Sequence, residues 1–209
     1  NFKFGTAKFV KIDDAQIWAQ RISYVGELGF ELYVKKENAL KIFDILMNKG
    51  KPFEISLCGM HAMDIMRMES GYLHWGHDIS PEENQFEAGL NFAVSFKKNI
   101  NFIGRAALEK KRDKKDHKKL KMLILNNSKE GAPLLLHDEP IYLKDRIVGC
   151  TTSGCYSFNY NKNLAFGYIN SGLSSDQIDK EGFEIEVEKK KYSASVITRP
   201  LNDKKLSSL

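Results

Sequence analysis

Three stretches carry side chains able to do chemistry. In RISYVGELGFELYV (21–34), Tyr24 and Glu31 stand on either side of Gly26 and Gly29. A pair of glycines inside a strand marks a bulge, a hairpin or a close backbone approach. A backbone that passes close to a flat ligand lets the tyrosine stack on it. The glutamate can then receive two parallel N–H bonds, as an aminopyrimidine edge offers. In CGMHAMDIMRMES (58–70), Arg67 could hold a ligand carboxylate bidentately, and Trp75 in GYLHWGHDIS (71–80) could serve as a ring platform. Each residue also has a plainer reading, which spacing alone favours. Tyr24 and Glu31 would then be hairpin surface residues, Arg67 an ion-pair partner of Asp64 or Glu69, and Trp75 a core aromatic.

Other chemistries lack their signatures. The sequence has no phosphate-binding glycine loop, nucleophile elbow or paired-cysteine zinc spacing. The G-x-x-G at 26–29 has no helix directly after it, so a dinucleotide site fails on context. His74, His77 and Asp78 come from one short segment without an i, i+4 histidine pair, and no metal site is expected. Cys58, Cys150 and Cys155 are an odd number without a secretory signal, which predicts reduced thiols and a cytoplasmic setting. The net charge of +5 equals the excess in EKKRDKKDHKKLK (109–121), with eight Lys or Arg against three Asp or Glu. A helical run with interspersed acids reads as a solvated face, and no nucleic-acid motif accompanies it. No apolar run approaches the roughly 20 residues of a membrane span. Neither nucleic acid nor membrane is therefore an expected partner. The chain starts without methionine, which raises the expectation of an excised or processed fragment.

The elements that must position these residues divide into two sets. Strand signals fall at 7–12, 16–24 and 29–34. A helix follows over 35–50, with Ala39, Ile42, Phe43 and Leu46 at helical spacing, and another covers 58–70 with Ala62, Ile65 and Met66 inward. A strand is predicted over 88–96 after a short helix, and an exposed basic helix over 103–117. Beyond Leu120 the pattern is all β: 120–126, 140–152, 164–170 and 183–197, with hairpin tips at Lys144–Arg146 and Glu188–Lys190. Short strands at even spacing suggest a small antiparallel barrel or sandwich.

Taken in order, these stretches resemble the aminomethyltransferase (glycine cleavage T-protein) family. RISYVGELGFELYV resembles its glycine-break strand pair, and CGMHAMDIMRMESGYLHWGHDI its G-x-x-A-x-D-x-x-R-x-E helix and G-H-D loop. FEAGLNFAVSF with FIGRAAL resembles its AGL strand and linker-helix entry, and VGCTTSGCYSFNYNKNLAFGYI (148–169) its C-terminal barrel. YVGELGFELYV, YLHWGHDI and TRPLND are similar to the folate-binding region of sarcosine and dimethylglycine dehydrogenases.

The resemblance implies an α+β fold: a partial T-protein-like α+β lobe (1–98), a basic linker helix (99–118) and a small antiparallel β-barrel (119–209). It implies tetrahydrofolate as cofactor, with FAD only in a preceding domain absent from this chain. It implies a methylated-amine or aminomethyl substrate, and as partner the missing N-terminal half of the parent protein. The implied parent is a one-carbon-transfer enzyme of the sarcosine/dimethylglycine dehydrogenase type that forms 5,10-methylenetetrahydrofolate. The alternatives are a free aminomethyltransferase or related demethylase, and a non-catalytic scaffold. Carried over by motif, Tyr24 falls on the pterin-packing tyrosine, Glu31 on the glutamate that receives the aminopyrimidine N–H groups, and Arg67 on the folate-site arginine. Trp75 falls beside the loop glycine, as a further cofactor contact. The family's essential aspartate lies in the N-terminal half, so no catalytic residue is assigned, and neither Asp13 nor Asp14 fills that role.

Overall fold

Strands β1 (Ala7–Ile12), β2 (Ala15–Gln20) and β3 (Glu31–Tyr33) form an antiparallel sheet in that order. They belong to a computed structural model of the chain that describes residues 2–112, 117–127, 129–170 and 172–202. Alternation sorts the side chains of the sheet. Val10, Ile12, Ala15, Ile17 and Val34 gather with Ile42 and Ile45 of helix α1 (Ala39–Gly50) in one apolar cluster. The opposite face carries the cross-strand row Phe9, Trp18 and Tyr33. The β1–β2 turn places Asp13 at φ 53°, and Lys41 of α1 reaches both Asp13 and Asp14 at 2.6 Å. These two carboxylates therefore have a local structural use.

The predicted helical stripe of α1 is only partly right. Ile42 is buried, whereas Phe43 and Leu46 are 46% and 37% exposed, and Ile45 completes the inner face instead. In helix α2 (Met60–Glu69) the predicted inward residues Ala62, Ile65 and Met66 are half-buried. Full burial falls at Arg67, Met68 and Glu69.

Two predicted strand regions are not strands. β2 stops at Gln20, and residues 21–30 form a loop before β3. The Ser23 hydroxyl accepts from the Val25 and Glu27 amides, so donors that would serve a ladder go to a local side chain. Gly26 takes φ +72°, a conformation closed to most residues. Residues 88–96 also lack a strand. The Ala88 amide bonds back to Asn84, the Leu90 amide bonds to Gln85, and a short 3-10 turn covers Asn91–Ala93. Apolar composition drew the strand prediction, but the backbone donors are already satisfied by local turns.

The predicted barrel is present and closed. Strands β4 (Lys119–Leu125), β5 (Pro140–Leu143), β6 (Arg146–Ser157), β7 (Lys162–Ile169), β8 (Gly182–Val187) and β9 (Lys190–Ile197) join antiparallel in the order β4-β7-β6-β5-β8-β9. Both predicted hairpin tips hold, with Lys144, Glu188 and Lys189 at positive φ. Leu123, Leu125, Ile141, Ile169, Phe183 and Ile185 fill the interior. Helix α3 (Arg105–Arg112) carries the start of the basic run, of which 113–116 lie outside the described residues. Arg105 gathers the loop before it, donating to the carbonyls of Phe96, Lys98 and Ile100 and to Glu109. By compactness the chain divides into one unit up to Arg67, which includes Asn202, and a second unit, Met68–Leu201.

Candidate functional site

In the first unit, Glu31 opens β3 opposite Gln20 and is exposed. Two residues on, Tyr33 lies on the same face and donates its hydroxyl to Glu31 Oε2 at 2.9 Å. The carboxylate holds the Tyr33 phenol above its ordinary value, through that hydrogen bond and through charge. An ionised carboxylate has about four lone-pair sites, so one hydroxyl leaves acceptor capacity. On the same face stands the aromatic row, with Phe9 and Trp18 edge to face at 4.8 Å. Glu31 is thus an exposed acceptor on an aromatic sheet face. Tyr33 was missed by sequence reasoning, although its i+2 spacing from Glu31 was the available signal.

Tyr24 sits half-buried in the 21–30 loop, and the carbonyl of Gly26 in that loop accepts from Asn202 at 3.4 Å. Arg67, near the end of α2, is 1% exposed, and its Nε donates to Asp64 at 2.7 Å. The Asp64 alternative offered by spacing is therefore present. A groove of about 900 Å³ in this unit is lined by Lys11–Asp13, Leu40, Lys41 and Asp44, and by no predicted site residue. It holds none of the proposed chemistry.

Trp75 belongs to the second unit and is 65% exposed, so the core-aromatic reading of this residue fails. It rides on a tight loop in which the His74 carbonyl accepts from His77, Asp78 and Ile79, and the Gly76 amide bonds back to Ile79. Asp78, directly after exposed His77 and four residues beyond half-buried His74, is completely buried. Its carboxylate accepts from the His74 amide, Thr152 Oγ1 and Ser153 Oγ. Sequence reading weighed Asp78 only as a metal ligand. Among the described residues, no group of three or more His, Cys, Asp or Glu is arranged to hold a metal ion.

The next turn carries a measurable charge pair. Burial opposes ionisation of Glu83, but hydrogen bonds from Lys118 and Ser80 outweigh it and hold the carboxyl below the ordinary 4.5. The Lys118 contact is 2.7 Å. A lowered folded-state value means this stabilisation is complete above that ordinary value and is lost as pH falls through the lowered one. Glu83→Gln is expected to flatten the acid limb of a stability-against-pH curve. Chemical denaturation from pH 7 to 3 would show it, and parallel limbs in both proteins would refute it.

Comparison with known proteins places these features in a family. Residues 1–98 match the GCVT N-terminal domain, and residues 118–203 match the glycine cleavage T-protein C-terminal barrel domain. Human mitochondrial dimethylglycine dehydrogenase is 36% identical over 205 residues, covering 96% of this chain and 22% of that protein. The 4-methylaminobutanoate oxidase (formaldehyde-forming) of Paenarthrobacter nicotinovorans is 32% identical, covering 97% of this chain and 24% of its own. An aminomethyltransferase of Listeria welshimeri is also 32% identical, over 94% of this chain and 51% of its own. The chain thus spans between about a fifth and a half of these relatives. The fold matches the crystal structure of glycine cleavage system aminomethyltransferase T from Bartonella henselae with a TM-score of 0.76 at 22% identity, over 88% of this chain and 49% of that one. With both of its domain types matched in order, an α+β lobe followed by a closed barrel, the chain belongs to the glycine cleavage T-protein family.

Proposed function

We propose that this chain is the tetrahydrofolate-holding region of a one-carbon-transfer enzyme of the sarcosine/dimethylglycine dehydrogenase type. In this reading a flavin domain outside the chain oxidises a methylated amine, and the product is 5,10-methylenetetrahydrofolate. The observation that carries it is Glu31, an exposed carboxylate on a sheet face shared with Trp18 and Tyr33. A carboxylate beside flat aromatic side chains suits a flat heterocycle with an N–H-bearing edge. Identity of 36% to human dimethylglycine dehydrogenase, against 32% to the Listeria welshimeri aminomethyltransferase over nearly the same residues, favours the dehydrogenase type.

In this proposal, bound folate supplies the amine nitrogens that accept the one-carbon unit. The chain's own residues bind and orient. Glu31 receives the aminopyrimidine N–H groups and Tyr24 packs on the ring; Trp75, in the second unit, offers an exposed ring surface of its own. Arg67, spent through Nε on Asp64, adds buried positive charge near the end of α2. Positioning and exclusion of water are the effects such a site can contribute.

Titration of the complete protein with tetrahydrofolate tests this. Glu31→Ala leaves ligand donors unpaired, which costs roughly 1–3 kcal/mol and weakens affinity roughly five- to 150-fold. Tyr33→Phe, which removes only the hydroxyl that orients Glu31, is expected to cost less. Equal affinity in wild type and Glu31→Ala would sink the role of Glu31. Formaldehyde release from the methylated amine, unchanged by added tetrahydrofolate, would count against the whole reading.

A further inference from the structure

Strand β6 contains an irregularity at the point where it meets the Trp75 loop. Thr151 pairs with Gly167 of β7, and the next paired residue is Ser153, opposite Phe166. Thr152 is therefore an extra residue, the hallmark of a β-bulge. In a regular strand, neighbouring side chains point to opposite faces. Here Thr152 Oγ1 and Ser153 Oγ both donate to the same atom, Asp78 Oδ1, at 2.6 and 2.8 Å. The bulge turns two consecutive hydroxyls to one side. The other oxygen, Oδ2, accepts from the His74 amide at 2.9 Å, and the Asp78 carbonyl accepts from Tyr168 of β7 at 2.9 Å.

Burial makes this arrangement costly to break. Asp78 is 0% exposed, and a buried carboxylate is tolerated only where donors replace its water. His74, where Oδ2 is anchored, directly precedes Trp75, which is 65% exposed. The loop is fixed at its root and free at its aromatic tip.

We propose that Asp78 and the Thr152–Ser153 bulge are a latch by which the barrel positions the Trp75 loop for ligand. Asp78, Thr152 and Ser153 are positioning residues that do not touch the ligand. Their role is to hold one backbone conformation from 74 to 79, so that Trp75 is presented without an ordering cost on binding. Only the ligand step rests on the folate reading.

The experiment has two separable arms. Hydrogen exchange is measured on the 209-residue chain and on Thr152→Val/Ser153→Ala, using the Gly76, Asp78 and Ile79 amides as reporters, with amides of β4 and β7 as reference. Exchange in the loop is expected to speed up by about tenfold or more, from the loss of two hydrogen bonds to a charged group. The reference strands should change far less, and Thr152→Ser, which keeps the hydroxyl, should restore loop protection. Equal loop protection in wild type and double variant overturns the latch. The second arm is tetrahydrofolate affinity in the complete protein, where the double variant is expected to bind severalfold more weakly at unchanged barrel protection. Altered exchange with unchanged affinity overturns the positioning role. A wild type that binds no tetrahydrofolate overturns the folate reading instead, and the exchange data then still decide the latch.

Discussion

Gly149→Ala is expected to destabilise the barrel strongly by forcing β6 away from β7. A Cβ at this position would lie 1.7 Å from the Tyr168 carbonyl oxygen and 2.9 Å from its carbon. Both are main-chain atoms of the neighbouring strand, so no side-chain rotation relieves the clash. Gly149 pairs with Ile141 of β5 on one side and with Ile169 of β7 on the other. Retreat from Tyr168 therefore drives the strand into β5 or pulls apart the Cys150–Tyr168 rungs. Overpacking commonly costs about 1–3 kcal/mol, and a main-chain obstacle with partners on both edges belongs at or above the top of that range. For a chain of this size a loss of about 3 kcal/mol lowers the melting temperature by about 6–12 °C. Gly182→Ala in β8 is the control, because nothing lies within 4 Å of its Cβ and its φ is not positive. It should stay within about 0.5 kcal/mol of wild type. Equal denaturation midpoints for the two variants would refute the close-approach account.

That glycine also shows what the sequence could and could not disclose. VGCTTSGCYSFNYNKNLAFGYI was legible as a barrel motif, and the hairpin tips fall where turn residues put them, but β6 runs on to Ser157, past the predicted end at 152. The reasons for its glycines were not legible. Gly154 lies against Leu135, and Gly167 against Ile141 and the Cys150 carbonyl. Those are long-range approaches that no local pattern encodes. The bulge at Thr152 was hidden for the same reason, since a register shift is a relation between two strands. In the first unit, Glu31 stood out because a carboxylate after a glycine break is a local feature, and the structure places it exposed at the start of β3. The run before it was misread as strand because even spacing of Ile22 and Tyr24 says nothing of where Ser23 sends its hydroxyl. Asp78 and Glu69 were the hardest. Charged residues beside histidine and arginine suggest chemistry, and only burial shows them committed to the barrel.

Glu69 carries the second large effect. Spacing offered it as a partner for Arg67, but Arg67 Nε goes to Asp64. Glu69 is 3% exposed, and its Oε1 accepts from Ser157 Oγ at 2.6 Å and Oε2 from Asn159 Nδ2 at 2.9 Å. Both donors lie at the β6–β7 hairpin, where Ser157 also accepts from the Tyr160 amide. A hydrogen bond to a charged group contributes about 1.5–3 kcal/mol, and removing one partner leaves buried polar atoms without compensation. Glu69→Ala is therefore expected to cost about 3 kcal/mol or more, because it leaves the Ser157 hydroxyl and the Asn159 amide as donors without their acceptor. Glu69→Gln retains an acceptor for Ser157 but sets an amide N–H₂ toward Asn159, or the reverse if flipped, and should fall between wild type and Glu69→Ala. A double-mutant cycle of Glu69→Ala with Ser157→Ala isolates the pair, and a coupling of about 1 kcal/mol or more is expected from guanidinium denaturation. A coupling near zero would mean that the hairpin holds its shape without Glu69, and that the glutamate of the helix motif is buried for another purpose.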